Sequence, residues 1–190
     1  MDAVAALRDG LPVLLPTDTV YGLAAAPTEE AATRLYALKG RSRDQPTAIL
    51  AATVEALLRA VPELPEATVS KLLPGPFTLV LANPAGRFPW LTGGRPGPIG
   101  VRVPDLPPEA HGVVAAVGVV LATSANDPGG PNPRTLADVP RRIRDGCGAE
   151  VDAGTLPGTP STVLDLSGDA PRVLREGAVP AAEALDRLAT

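Results

Sequence analysis

Residues 12–23 read Pro12-Val13-Leu14-Leu15-Pro16-Thr17-Asp18-Thr19-Val20-Tyr21-Gly22-Leu23. Pro12 to Leu15 is a short apolar run of the kind that a fully buried strand carries. The polar centre that follows is bracketed by Pro16 and Gly22, residues that punctuate a chain at turns. Two readings of this bracket stand. A strand–turn–strand whose Thr and Asp side chains bond their own backbone accounts for it structurally. The same hydroxyls and single acid, held on a constrained turn, would also orient a small polar ligand.

On both sides of this stretch, helical patterns alternate with short apolar runs. Residues 2–9 read as a helix. Thr28 followed by Glu29 and Glu30 is an N-cap with an acidic first turn, Ala31, Leu35 and Leu38 share one face, and Gly40 ends the helix. Further strands are expected at Thr47–Ala51, Phe77–Ala82, Ile99–Val103, Val119–Ala122, Ser161–Leu166 and Arg172–Leu174. Helices are expected at Val54–Ala60, in a segment ending at Leu73, and over Ala110–Val117, Leu136–Arg144 and Ala181–Leu188. Residues 83–98 read as a Gly/Pro-rich loop. Strands interleaved with helices, mostly too far apart for hairpins, predict a layered α/β (α+β) fold in a single domain over 1–190. The Phe77–Val103 portion has the spacing of an antiparallel pair, so a mixed sheet is expected.

Composition removes whole classes of chemistry. The chain has one cysteine, Cys147, and one histidine, His111. Disulfide frameworks, Cys/His zinc sites and Cys-x-x-Cys redox pairs are therefore excluded. A Ser-His-Asp machine would hang on His111 alone, and there is no Gly-x-Ser-x-Gly elbow. His111 reads as a surface or helix-start residue, Cys147 as inert, and Trp90 as a loop anchor. The nearly apolar run Val113–Ala122 is too short for a membrane span, and the N-terminal residues lack a signal-peptide layout. A soluble, cytoplasmic protein is expected. The net charge of -4 disfavours a nonspecific nucleic-acid binder. Lysine occurs only at 39 and 71, so fifteen of the 17 basic residues are arginines. Their positions carry more information than their number.

Neither a P-loop nor a Gly-x-Gly-x-x-Gly fingerprint is present, so any nucleotide must be held by other means. Four polar segments at the ends of apolar elements are candidates. The first is the Thr17–Tyr21 bracket. The second, Lys39-Gly40-Arg41-Ser42-Arg43, continues its positive charge past the helix end, where dipole complementation alone would stop at Lys39. Lysine and arginine on a loop neutralise polyphosphate. The third, Thr123-Ser124-Ala125-Asn126, leaves the C-terminal end of a buried strand, where ligands bind in open α/β sheets. An ordinary Asn-Asp-Pro-Gly turn is the competing reading. The fourth pairs Ser161-Thr162 with Arg175-Glu176-Gly177, and Arg102 stands inside a strand.

Taken together, PTDTVYGL, KGR, PGPFTLVL, GVRVP, TSAN, STVLDL and REG resemble, in order and spacing, the YrdC-like family of threonylcarbamoyl-AMP synthases in its short single-domain form. The resemblance runs from about Leu11 to Gly177. It implies a twisted mixed sheet flanked by helices, with a concave positive face. It also implies a reaction in which L-threonine, bicarbonate or CO2, and ATP give threonylcarbamoyl-AMP and pyrophosphate. A separate transferase complex then carries the group to the adenosine beside the tRNA anticodon. By the same resemblance Thr19, Arg102, Ser124 and Ser161 hold threonine. Lys39 and Arg41 are the catalytic cations at the phosphates, and Gln45, Asn126, Arg134 and Arg175 complete the ATP side. Mg2+ is expected to arrive on the phosphates, with no protein-held metal and no membrane contact. The chain departs from longer members at 45–50, where Leu50 stands in place of a histidine. After TSAN, the usual Leu-Ser-Gly is Asp127-Pro128-Gly129. Two other functions fit parts of this pattern: an RNA-binding module without turnover, and a carbamoyl-adenylate-forming domain.

Overall fold

The computed structural model describes residues 1–42, 45, 47–92 and 97–189. Arg43, part of the expected cationic run, lies outside the described residues. The chain opens with α1 (Ala3–Arg8), started by Asp2, whose carboxylate accepts the Ala5 N–H at 2.8 Å. β1 (Val13–Pro16) and β2 (Tyr21–Ala25) follow as an antiparallel pair, with Pro16 opposite Tyr21. The strand–turn–strand reading of the opening stretch is thus correct, and Thr17 closes the turn. Its hydroxyl donates to the Val20 carbonyl at 2.8 Å and accepts the N–H groups of Thr19 and Val20.

α2 (Glu29–Lys39) is capped by Thr28 and stops at Gly40, which takes the left-handed conformation (φ 65°) that ends helices. Next come β3 (Ala48–Ala51), α3 (Val54–Ala60), α4 (Glu66–Leu72), β4 (Phe77–Leu81) and β5 (Ile99–Arg102). α5 (Pro108–Val117) starts two residues before the expected Ala110, because Pro at the first helical position is already set for the helix. β6 (Val119–Ser124) runs on into the TSAN segment. The expected helix over Leu136–Arg144 is broken. A 3₁₀ turn spans Leu136–Asp138, and α6 (Arg141–Asp145) begins only after Pro140, which has no N–H to continue the ladder. β7 (Ala149–Glu150), β8 (Thr162–Asp165), β9 (Arg172–Arg175) and α7 (Ala181–Ala189) complete the chain. β7 is two residues long, too short to leave a sequence pattern.

Among the described residues the strands form one sheet in the order β7-β1-β2-β6-β3-β5-β4-β8-β9. β7/β1, β3/β5 and β4/β8 are parallel and the other neighbours antiparallel, so the sheet is mixed. The two faces are treated differently. One face carries Leu14, Leu23, Leu121, Ile49, Val101, Leu79 and Leu164 into the larger core. Leu35 of α2, Leu57 of α3, Leu72 of α4, Ile143 of α6 and Ala184 of α7 close that core. The other face carries Val13, Leu15, Ala24, Val120 and Leu50 into a smaller core under α1 and α5. That cover stops at β3. Along β5, β4 and β8 the second face becomes the floor of a cavity, and the buried/half-buried alternation of β4 and β5 marks the change.

Candidate active site

The cavity has a volume of about 620 Å³, in the size range of a small-molecule site. Thr78 and Val80 of β4, Gly100 and Arg102 of β5, and Val163 and Asp165 of β8 form its floor. Its walls come from the ends of other elements: Thr19 from the β1–β2 turn, Arg41 past α2, Thr123 and Ser124 at the end of β6, and Arg175 ending β9. Small residues, Ala48, Gly100 and Ala122, leave the volume open.

Arg41, Arg102 and Arg175 reach this space from three separate elements, against the single carboxylate of Asp165 among the described lining residues. Asp165 is already committed. Oδ1 accepts from the Ser167 N–H at 3.0 Å and the Ser167 hydroxyl at 2.6 Å, and Arg172 pairs with Oδ2. These bonds hold its carboxyl below the usual range. The cavity is therefore cationic in a chain of net charge -4. Arg41 donates to Thr123 Oγ1 at 2.9 Å. Arg175 donates to the Ser161 carbonyl at 3.1 and 2.8 Å and to the Ser161 hydroxyl at 3.1 Å. Ser161 Oγ in turn lies 2.8 Å from Thr78 Oγ1. The Thr47 hydroxyl, also in the lining, is buried with no hydrogen-bond partner among the described residues.

Arg102, read from sequence as either a solvent-facing strand residue or a ligand contact, is half-buried in the cavity floor. Its Nη2 donates to Asp18 Oδ1 at 3.1 Å and lies 3.4 Å from Thr19 Oγ1. Burial pushes the Asp18 carboxyl up, and the Arg102 cation pulls part of that back.

A cationic, hydroxyl-lined hollow suits an anionic ligand. The Sua5_yciO_yrdC family model, described as "Telomere recombination", matches residues 5–177.

The chain belongs to the Sua5/YciO/YrdC family.

A putative threonylcarbamoyl-AMP synthase of Mycobacterium tuberculosis strain H37Rv is 35% identical over 184 residues, 94% of this chain and 84% of that protein. The structure of Sua5 from Pyrococcus abyssi complexed with L-threonine superposes with a TM-score of 0.87 at 34% identity. That alignment covers 97% of this chain but 56% of the Sua5 chain, so the present chain spans little more than half of that relative. Escherichia coli YciO, with a TM-score of 0.80 and 25% identity, is covered over 87% of its length.

In this member of the Sua5/YciO/YrdC family, Thr19, Arg41, Arg102, Ser124, Ser161 and Arg175 line one cavity. The remaining four expected residues stand elsewhere. Lys39 is 3% exposed and lies behind the wall. Its ammonium donates to the Ser124 carbonyl at 2.6 Å, to Asn126 Oδ1 at 2.5 Å and to the Asn126 carbonyl. An ammonium has three N–H donors, and all three are taken. Asn126 shares that role, since its amide also donates to the Gly130 carbonyl at 2.6 Å and its Oδ1 accepts the Ser124 hydroxyl at 2.6 Å. Arg134 donates from Nε to the Leu156 carbonyl at 3.1 Å and anchors the chain beyond β7. Gln45 is exposed and outside the lining. Sequence reasoning missed Thr47, Thr78, Asn132 and Asp165 in the lining; Thr123 and Asp18 stood in two of the candidate segments, but without the contacts to Arg41 and Arg102 that the structure gives them. For Thr78 and Asp165 a signal existed. Both alternate out of phase with the core residues Phe77, Leu79 and Leu164 on their strands.

Proposed function

We propose that this chain acts as a threonylcarbamoyl-AMP synthase, joining L-threonine, bicarbonate or CO2, and ATP, and releasing pyrophosphate. The convergence of Arg41, Arg102 and Arg175 with the hydroxyls of Thr19, Ser124 and Ser161 in one cavity carries this reading. In the reaction the threonine amine adds to CO2 and loses a proton, giving a carbamate. A carbamate oxygen attacks the α-phosphorus of ATP. The bond from that phosphorus to its bridging oxygen breaks, and pyrophosphate leaves with the electron pair. One anion approaches another in this step, so the chief demand is for fixed positive charge and alignment. A strong base is not required, in keeping with a site lined by arginine and hydroxyl groups.

In this scheme Arg102 takes the threonine carboxylate, with Thr19 and Ser161 beside it. Arg41 and Arg175 oppose the phosphates, and Ser124 contributes its hydroxyl between the two substrates. Lys39 and Asn126 serve from behind, by holding the Ser124 turn. Mg2+ enters as part of the nucleotide substrate, its ligands the phosphate oxygens. Carbon enters as CO2, either directly or from bicarbonate that takes up a proton and loses water, and the product passes to a separate tRNA-modifying transferase. Among the described residues no helix is long and apolar enough to cross a membrane.

The test is pyrophosphate release by the purified protein supplied with Mg-ATP, bicarbonate and L-threonine. Release is expected to vanish when threonine is left out, with threonylcarbamoyl-AMP detected by mass spectrometry. Equal release with and without threonine would overturn the assignment. RNA binding with no turnover would replace it by the binding-module reading.

A further inference from the structure

Asp18 does not appear in the cavity lining, yet it holds one of the groups that do. Its Oδ1 accepts Arg102 Nη2 at 3.1 Å, with side-chain exposures of 10% for Asp18 and 13% for Arg102. The mount is stiff. Asp18 sits between Thr17 and Thr19, whose hydroxyls lie 3.0 Å apart, and the Thr17 hydroxyl also bonds the backbone of Thr19 and Val20. Gly158 N–H donates to the Thr19 carbonyl at 2.8 Å and ties the far side of the turn down. The opposing influence is Arg175, whose positive charge acts on Arg102 across the cavity. Arg175 differs from Arg102 in bonding only neutral oxygens of Ser161 in the contacts described above.

We infer that Asp18 is a positioning residue for amino-acid recognition: it holds the Arg102 guanidinium against the β1–β2 turn, at the place where its remaining donors receive the substrate carboxylate. The inference rests on the proposed reaction. A guanidinium on a long side chain has many rotamers, and fixing one of them before the substrate arrives removes that ordering from the cost of binding. A charge-assisted bond from a carboxylate mounted on a rigid turn does this better than a neutral acceptor would. The contribution belongs to binding of the amino acid. It should not affect departure of pyrophosphate, which takes place among other residues.

The experiment measures pyrophosphate release for the unsubstituted protein, Asp18→Asn, Arg102→Met and the double variant, each checked for folding by circular dichroism and melting. Asp18→Asn is expected to raise the KM for threonine about tenfold, as loss of a charge-assisted contact does, with kcat and the KM for ATP nearly unchanged. In the Arg102→Met background the same substitution is expected to add nothing to the loss in kcat/KM for threonine, because Asp18 then has no guanidinium to hold. An unchanged threonine KM in Asp18→Asn overturns the inference alone, as does a fall confined to kcat. An equal loss in both backgrounds also overturns it, since Asp18 would then act independently of Arg102. Absence of threonine-dependent release from the unsubstituted protein overturns the proposed reaction, and the inference with it. Should Asp18→Asn not fold, Asp18→Glu keeps the charge and displaces it by one methylene. Its threonine KM is expected to rise, and an unchanged value counts against the inference.

Discussion

The Lys39 ammonium lies 2.5 Å from Asn126 Oδ1 and 2.6 Å from the Ser124 carbonyl, so a helix C-terminus and the turn after β6 are fastened at a single nitrogen. Arg142 reinforces the junction by pairing with Asp127 and donating to the Leu38 carbonyl. The geometry of Ser124 at the cavity wall depends on this junction.

Replacing Lys39 by Ala would leave the Ser124 and Asn126 carbonyls and Asn126 Oδ1 short of a donor. A buried acceptor without a partner costs roughly 1–3 kcal/mol, and the water that enters the gap recovers part of it. A loss of about 3 kcal/mol in a urea titration is expected, with activity reduced about a hundredfold because Ser124 is no longer held. Arg41→Ala removes a group from the wall itself and is expected to cost comparable activity with little stability. Equal unfolding midpoints for Lys39→Ala and the unsubstituted protein would show that the ammonium fastens nothing.

The pH dependence has a definite sign. Burial, with the nearby positive charge of Arg41, pushes Lys39 from its ordinary 10.5 down to about 8. Between about pH 8 and pH 10.5 the unfolded chain holds this proton and the folded chain does not. Stability therefore gains a contribution as pH rises through that window, and at neutral pH the folded protein carries the cost of a charged buried amine. Relative to Lys39→Gln, which does not titrate, the unfolding free energy should rise from pH 8 to 10. An NMR titration of the Lys39 side chain with its midpoint near 10.5 would contradict this.

Arg175 and Arg102 should separate kinetically. Arg175→Ala is expected to weaken ATP use, raising its KM and lowering kcat about a hundredfold, as loss of an electrostatic contact to a reacting phosphate does. Arg102→Ala is expected to act chiefly on the threonine KM. Initial rates with each substrate varied in turn would resolve the two patterns. The reverse assignment would exchange the two ends of the cavity.

Gly177 packs against the start of β8. A Cβ placed there would stand 2.3 Å from the Pro160 carbonyl oxygen and 2.5 Å from that of Ser161, both backbone atoms with little room to yield. Gly177→Ala is expected to cost about 2–3 kcal/mol by overpacking and to shift Ser161 relative to Arg175, lowering both melting temperature and activity. A melting curve matching that of the unsubstituted protein would show that the two segments can separate freely.

Much of the architecture was legible in local sequence. The cap at Thr28, the glycine stop at Gly40 and the apolar runs at 77–82 and 119–122 each report a local backbone preference, and the structure keeps them, ending the first of those strands at Leu81. Pro140 was the failure of the same kind of reading, a single residue outweighing the periodicity around it. Motif order was enough to bring out six of the cavity-lining residues before any coordinates.

What the chain's sequence determined on its own is therefore the set of elements, their mixed α/β character and the family pattern, because these rest on backbone conformation and residue type at fixed spacing. Only the tertiary structure decided which cations meet the cavity. Lys39 and Arg41 are two residues apart, yet one ammonium turns inward to three oxygens from the β6 turn while the other side chain reaches the wall. Asp18 and Arg102 are separated by 84 positions and become a half-buried pair only when β5 passes the β1–β2 turn. The direction of a side chain depends on which partners folding brings within bonding distance, and that information is spread over the whole sheet.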